Sequence, residues 1–159
     1  MITKATIKDL EELYNIESLC FPINEAASKE TVEKRLNTFN DYFYILKKDN
    51  KIVSFINGIL SNEKNLIDKM YEDSSYHNIN NKWYIIFGVD TLPNYQHQGY
   101  AKQLMNYVIN DLKKQNKLGI ILTCKKELIT FYEQFGYKNE GISNSTHGNV
   151  TWYQMRLTF

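Results

Sequence analysis

The sequence predicts a mixed α/β fold, with a central sheet flanked by helices, and three observations carry that reading. Trp83-Tyr84-Ile85-Ile86-Phe87-Gly88-Val89 and Leu118 to Cys124 are bulky, β-type runs suited to buried strands. Between them Leu104, Met105, Val108, Ile109 and Leu112 recur at helical spacing. The elements read in order as β-α-α-β-β-(α)-β-α-β-α-β-β, an alternation that gives a sheet covered by helices.

Ile2 to Ile7 is a short β-type segment, after which Thr6 or Asp9 caps a helix. Leu10, Leu13, Ile16, Glu17 and Cys20 fall on or near one face of that helix. Pro22 interrupts, and Ser28 caps a second helix through Val32 and Leu36. Phe43 to Lys48 and Ile52 to Leu60 are strands joined by a turn at Asp49-Asn50-Lys51. Asn62 to Asn81 is a polar stretch with a short helix expected around Leu66-Ile67-Met70, and it is the candidate for a mobile connection. The Trp83 to Asp90 strand, a loop, and a helix to about Gln115 follow. Leu118 to Cys124 is the next strand, and Glu127 to Phe135 a short helix that Gly136 ends. Tyr137 to Glu140 and Thr151 to Leu157 are the last strands, separated by a polar turn. No internal repeat is present.

The chain of 159 residues fits one domain, 1–159, large enough for a layered core. Its net charge of +1, with no basic stripe, argues against nucleic acid as the main partner. Cys20 and Cys124 are too few and too far apart for a disulfide framework, and no metal site is expected. The start at Met1 runs straight into structured sequence, no apolar run is long enough for a membrane span, and a soluble cytoplasmic protein is the expectation.

The segment Leu92-Pro93-Asn94-Tyr95-Gln96-His97-Gln98-Gly99-Tyr100-Ala101 joins a strand end to a helix start. Amides at a helix start are unpaired and the macrodipole adds positive charge there, which suits a phosphate or pyrophosphate. Gly99 permits close approach to the backbone. A plain strand-to-helix turn would also need one glycine. The segment lacks the pattern of a Walker loop or a Rossmann fingerprint.

Gln-x-x-Gly-x-Ala after Leu-Pro and before a helix resembles the acyl-CoA pyrophosphate loop of the GCN5-related N-acetyltransferase family. Phe131-Tyr132-Glu133-Gln134-Phe135-Gly136-Tyr137 is similar to a second segment of that family, and Phe21-Pro22-Ile23-Asn24-Glu25-Ala26-Ala27-Ser28 looks like one found in arylalkylamine- and polyamine-type members. The resemblance covers nearly the whole chain. It implies a mostly antiparallel central sheet of about six to seven strands, with acetyl-CoA as co-substrate and a small primary amine as acceptor. On the same basis the protein would be a monomer or homodimer.

The resemblance also implies roles. The amides of Gln96, His97, Gln98, Gly99, Tyr100 and Ala101 hold the pyrophosphate, with Tyr100 and Lys102 beside the nucleotide end. Backbone groups of Val89 and Thr91 hold the acetyl and pantetheine portion, and Gly88 suits a bulge or close ligand approach there. Tyr132 places its hydroxyl near the coenzyme sulfur and donates to the departing thiolate. Phe131 and Phe135 are core residues by their i, i+4 spacing. By their chemistry alone, and not by the resemblance, Glu25 and Asp90 are candidates for meeting a cationic amine. Lys125 and Lys126 read as a solvated pair, and His97 as a polar loop residue.

An aliphatic acceptor amine, with a pKa of roughly 10.4, costs about 4.6 kcal/mol to neutralise at pH 7, so the reaction benefits from a proton acceptor. The strand positions that carry a base in the family fall here at Ile85 and Phe87, which accept no proton. The base is therefore unassigned, with Asp90, Glu25, His97 or a water chain as alternatives. Two further functions stay open: acetylation of a peptide or protein amine, and a non-catalytic acyl-CoA-binding sensor.

Overall fold

The computed structural model describes residues 1–159. The helices are α1 (Leu10–Cys20), α2 (Lys29–Phe39), α3 (Tyr100–Lys114) and α4 (Ile129–Glu133). The strands are β1 (Ile2–Lys4), β2 (Phe43–Lys48), β3 (Lys51–Ser61), β4 (Trp83–Thr91), β5 (Gly119–Cys124), β6 (Lys138–Ile142) and β7 (Tyr153–Thr158). They form a seven-stranded sheet in the order β1-β2-β3-β4-β5-β7-β6. β4 and β5 run parallel, while β1–β2, β2–β3, β5–β7 and β6–β7 are antiparallel. This is the mostly antiparallel α/β sheet that the family resemblance implies. No helix is long and apolar enough to cross a membrane.

The chain divides into two compact units, Met1–Gly58 with Gly88–Ile109, and Ile59–Phe87 with Asn110–Phe159. In the first, Leu13 and Ile16 of α1 and Val32 and Leu36 of α2 pack with Phe43, Ile45, Ile52 and Phe55. Ser28 caps α2 as predicted, its hydroxyl accepting the Thr31 amide at 3.1 Å. The Thr6 amide donates to the Asp9 carboxylate at 2.8 Å, which fixes the entry to α1. β2 and β3 are joined by Asp49 and Asn50 alone, both left-handed (φ 51° and 61°), and Lys51 already belongs to β3. Two positive φ values make the turn whose twist matches paired strands, and Asn and Asp adopt them readily.

In the second unit, buried Tyr84, Ile85, Ile120, Ile121, Leu122, Met155 and Leu157 come from β4, β5 and β7. The expected helix around Leu66-Ile67-Met70 is instead a short 3₁₀ turn, Asp68–Tyr71, followed by a second at Ser74–Tyr76. Side chains from far along the chain fasten this segment. The Asp68 carboxylate accepts from the Ser145 hydroxyl and the Thr146 amide, Gln154 Oε1 accepts from the Leu66 amide, and Arg156 donates to the Lys64 carbonyl. Composition alone suggests mobility there, but these bonds cross about eighty residues of sequence and are invisible to a local reading. α4 is shorter than expected, because Glu127 lies in a 3₁₀ turn before it. Gly136 ends it with φ 100°.

Gly119, at the start of β5, faces Trp83 of β4. A methyl group there would lie 2.1 Å from the Leu157 carbonyl oxygen and 2.5 Å from the Trp83 ring. Overpacking against backbone cannot relax by rotamer change, so Gly119→Ala is expected to lower unfolding stability by about 3 kcal/mol, read from the denaturant midpoint.

Candidate active site

Within the first unit, β4 leads through Leu92 and a 3₁₀ turn, Pro93–Tyr95, into the loop before α3. Two glutamines brace this loop from inside. Gln96 Nε2 donates to the Thr91 carbonyl at 3.1 Å, and Gln98 Nε2 to the Asn94 carbonyl at 3.0 Å. His97 and Gly99 both take positive φ (62° and 87°), and nothing lies within 4 Å of where a side chain at Gly99 would project. The bond from the Gln103 amide to the Gly99 carbonyl (2.9 Å) opens the helix, so the amides of Tyr100, Ala101 and Lys102 precede the first intrahelical bond. The loop from Gln96 to Gly99 is exposed. The side chains of Gln96 and Gln98 are thus spent on holding the loop, and the backbone is what it presents.

Tyr100 turns its ring toward Tyr95, with centroids 6.0 Å apart, and Lys48 Nζ lies 5.7 Å from the Tyr100 ring. A hydrogen bond to the Tyr100 hydroxyl pushes the Lys48 ammonium above its ordinary pKa. Lys51 sits 5.8 Å from the Tyr95 ring. The β2–β3 turn therefore delivers two cations beside the loop, a feature that sequence reading missed because the hairpin lies some fifty residues earlier in the chain. Lys102 is exposed. A separate cleft of about 360 Å³ lies nearby, lined by Glu12, Leu19, Lys51, Pro93, Asn94 and Tyr95 among others. None of the predicted site residues lines it.

Val89 and Thr91 are half-buried on β4. The Thr91 carbonyl already accepts from the Cys20 thiol (3.2 Å) as well as from Gln96, and the Ser54 hydroxyl donates to the Asp90 carbonyl at 2.8 Å. Between them Asp90 is fully buried, and neither of its carboxylate oxygens meets an amide, hydroxyl or cationic donor, which leaves the Glu17 carboxyl as its hydrogen-bond neighbour. Burial pushes its pKa well above 3.8. The neighbouring charge of Glu17, a hydrogen bond to that carboxyl and the charge of Cys20 add to the rise, while Arg35 opposes it. Gly88 explains how the groups meet. A methyl group on it would lie 2.9 Å from Asp90 Oδ1, 3.2 Å from Asn57 Nδ2 and 3.8 Å from Glu17 Oε1. Gly88 thus makes room for the protein's own carboxyls, where the sequence suggests a bulge or ligand. Glu25 is buried in the turn that follows Pro22, while Ile23 beside it is almost wholly exposed (97%).

In the second unit Tyr132 is buried, its ring edge-on to Phe131 (5.1 Å) and Tyr137 (5.6 Å). Phe131 and Phe135 stack edge-on at 5.4 Å but are only half-buried, so the core assignment inverts: Tyr132 is the deeper residue. Tyr137 is held well above its ordinary pKa by burial and then by Tyr132. Ile85 is fully buried. Phe87 meets Tyr71 at 5.1 Å, and Tyr71 stacks on His147 at 4.9 Å. Trp152 donates its indole N–H to the His147 carbonyl at 2.7 Å, and Lys125 lies 5.9 Å from the Trp152 ring rather than standing free in solvent. No group of three or more His, Cys, Asp or Glu is arranged to hold a metal ion.

The model of the Acetyltransferase (GNAT) family matches residues 10–137. An uncharacterized N-acetyltransferase of Staphylococcus epidermidis is 28% identical over 88 residues, which is 55% of this chain and 57% of that protein. The chain thus spans little more than half the length of the curated relatives it matches. Among solved structures, the loading GNATL domain of CurA from Lyngbya majuscula superposes with a TM-score of 0.86 at 16% identity, covering 99% of this chain and 96% of that one. The PaiA N-acetyltransferase from Thermoplasma acidophilum, in complex with coenzyme A, gives 0.74 at 18% identity over 100% and 98%. At such identities these two establish the shared fold.

Because Asp90 binds its proton more tightly folded than unfolded, its contribution to stability is fully present below pH 3.8 and is lost as pH rises toward its folded value. Thermal unfolding at a series of pH values should show that decline, and Asp90→Asn should flatten it and raise the melting temperature at neutral pH.

Proposed function

The chain belongs to the acetyltransferase (GNAT) family, and on that premise we propose that it transfers an acetyl group from acetyl-CoA to a primary amine by direct attack. The observation that carries this reading is the loop from Gln96 to Ala101. Its glutamine side chains are tied inward, Gly99 opens onto free space, and the first-turn amides of α3 precede any intrahelical bond. Such a surface binds a pyrophosphate through backbone donors and the helix dipole. Lys48, beside Tyr100, adds a cation at its edge.

Val89 and Thr91 supply backbone groups to the pantetheine and acetyl portion, and Lys102 lies toward the nucleotide. Tyr132 donates its phenolic proton to the departing thiolate, a role supported by its motif. The acceptor is a small molecule, an arylalkylamine or polyamine, met by the Phe21 to Ser28 segment with Glu25 as its acidic residue, while Asp90 is fully buried and does not reach it.

A thiol-release assay across polyamines, arylalkylamines and peptide amines tests the reading. Tight binding of acetyl-CoA with no turnover on any amine would reject the enzyme and leave an acyl-CoA-binding domain. Gly99→Ala forces a side chain into the left-handed region and should weaken acetyl-CoA binding on the order of tenfold, measured by calorimetry. Tyr132→Phe should lower kcat on the order of a hundredfold while leaving the acetyl-CoA Kd nearly unchanged. Full turnover by that variant would remove Tyr132 from the mechanism.

A further inference from the structure

Buried polar atoms in native proteins are nearly always bonded, and Asp90 is unusual in that neither carboxylate oxygen meets an amide, hydroxyl or cationic donor. Its environment is assembled from four elements. Glu17 and Cys20 face it from α1, Arg35 from α2, Asn57 from β3, and Gly88 from its own strand. The Arg35 guanidinium donates to Asn57 Oδ1 at 3.0 Å, and its charge lowers the Asp90 pKa against the other influences. Gly88 leaves the space in which Asp90 Oδ1 and Glu17 Oε1 converge. Two carboxylates brought together out of water cannot both ionise, and one proton between them relieves the repulsion.

The pair is also tied to both ends of the proposed reaction. The other oxygen of Glu17, Oε2, accepts the Ala27 amide at 2.8 Å, which anchors the Phe21 to Ser28 segment where the acceptor is placed. Asp90 lies between Val89 and Thr91, the residues assigned to the donor. Ile85 and Phe87 offer no base on the same strand.

Resting on the N-acetyltransferase reading above, we propose that the Asp90–Glu17 carboxyl pair takes the proton that the acceptor ammonium must lose before it attacks. The pair starts with one proton and one negative charge. One N–H proton of the ammonium passes to the pair through Glu17, leaving two neutral acids and a neutral amine. The amine lone pair forms the N–C bond to the acetyl carbon, and the C–S bond breaks with its electrons on sulfur. Tyr132 protonates that sulfur to the thiol, the second N–H proton restores the Tyr132 phenol, and the pair returns its extra proton to water. Glu17 faces the acceptor segment, and Asp90 is a positioning residue that acts through it by holding the shared proton.

The test uses Glu17→Gln and Asp90→Asn in the full chain, with spermidine and tryptamine as acceptors. Acetyl-CoA affinity is measured separately by calorimetry, and folding by the thermal midpoint. Both variants should bind acetyl-CoA within about twofold of wild type and lose on the order of a hundredfold in kcat at neutral pH. Their rates should then climb tenfold per pH unit toward the amine pKa, because only amine already neutral in solution reacts, whereas the wild-type rate levels off earlier. Carbon-13 spectra of the carboxyl groups should show one carboxyl still protonated at neutral pH in the wild type and none in Asp90→Asn. An active wild type whose two variants keep its kcat and pH profile overturns the proton-acceptor role. A wild type that binds acetyl-CoA but acetylates neither amine overturns the N-acetyltransferase reading itself, and this inference with it.

Discussion

A carboxyl group removed from water, with no amide, hydroxyl or cation to meet it, is among the costliest things a fold can contain, and the first unit is arranged around one. Asp90 sits at the end of β4, where the chain is about to leave the sheet for the loop before α3. To bring Glu17 and Cys20 to it, α1 must turn one polar-edged face inward while Leu13 and Ile16 enter the apolar core. α2 must place Arg35, a residue that is seldom buried, behind Asn57. β4 must carry a glycine two residues before the aspartate, in a strand interior where glycine is otherwise unfavourable. Each choice is locally poor and jointly consistent, and that combination is common where stability has been traded for chemistry.

The loop that follows shows the same economy. A phosphate-binding loop needs its amides free and its shape fixed, and these demands conflict if the backbone must bond to itself. Here side chains do the fixing. Gln96 and Gln98 reach back to carbonyls at Thr91 and Asn94, and Tyr100 leans on Tyr95 and Lys48. Because Gln96 ends on Thr91, the geometry of the loop and that of the strand end are one unit, connected through the residue next to Asp90.

What the sequence made legible was whatever depends on short spacing. The strand runs, the α3 stripe, the Ser28 cap, the Asp49–Asn50 turn and the stop at Gly136 each follow from local rules, and each is found. What stayed hidden depends on contacts far apart in the chain. Glu17 reads as one more residue on a helical face, and Asp90 as a strand-end polar group. Only folding brings them together. Lys48 and Lys51 look like turn lysines until the turn is set beside the loop, and residues 64–66 look loose until Gln154 and Arg156 are seen to hold them. The inversion at Tyr132 has a different cause. Two phenylalanines at i, i+4 define a face, but a five-residue helix is too short for periodicity to say which face turns inward.

The two cysteines bear on the chemistry in another way. Burial lifts the Cys20 thiol to about 11 and the Cys124 thiol to about 12, so both keep their protons at neutral pH. Only thiolates exchange with thioesters at useful rates. Cys20, which lies against the Thr91 carbonyl, is therefore close to where an activated acyl group is proposed to rest and yet chemically silent toward it. The raised pKa disfavours attack by Cys20 on that acyl group.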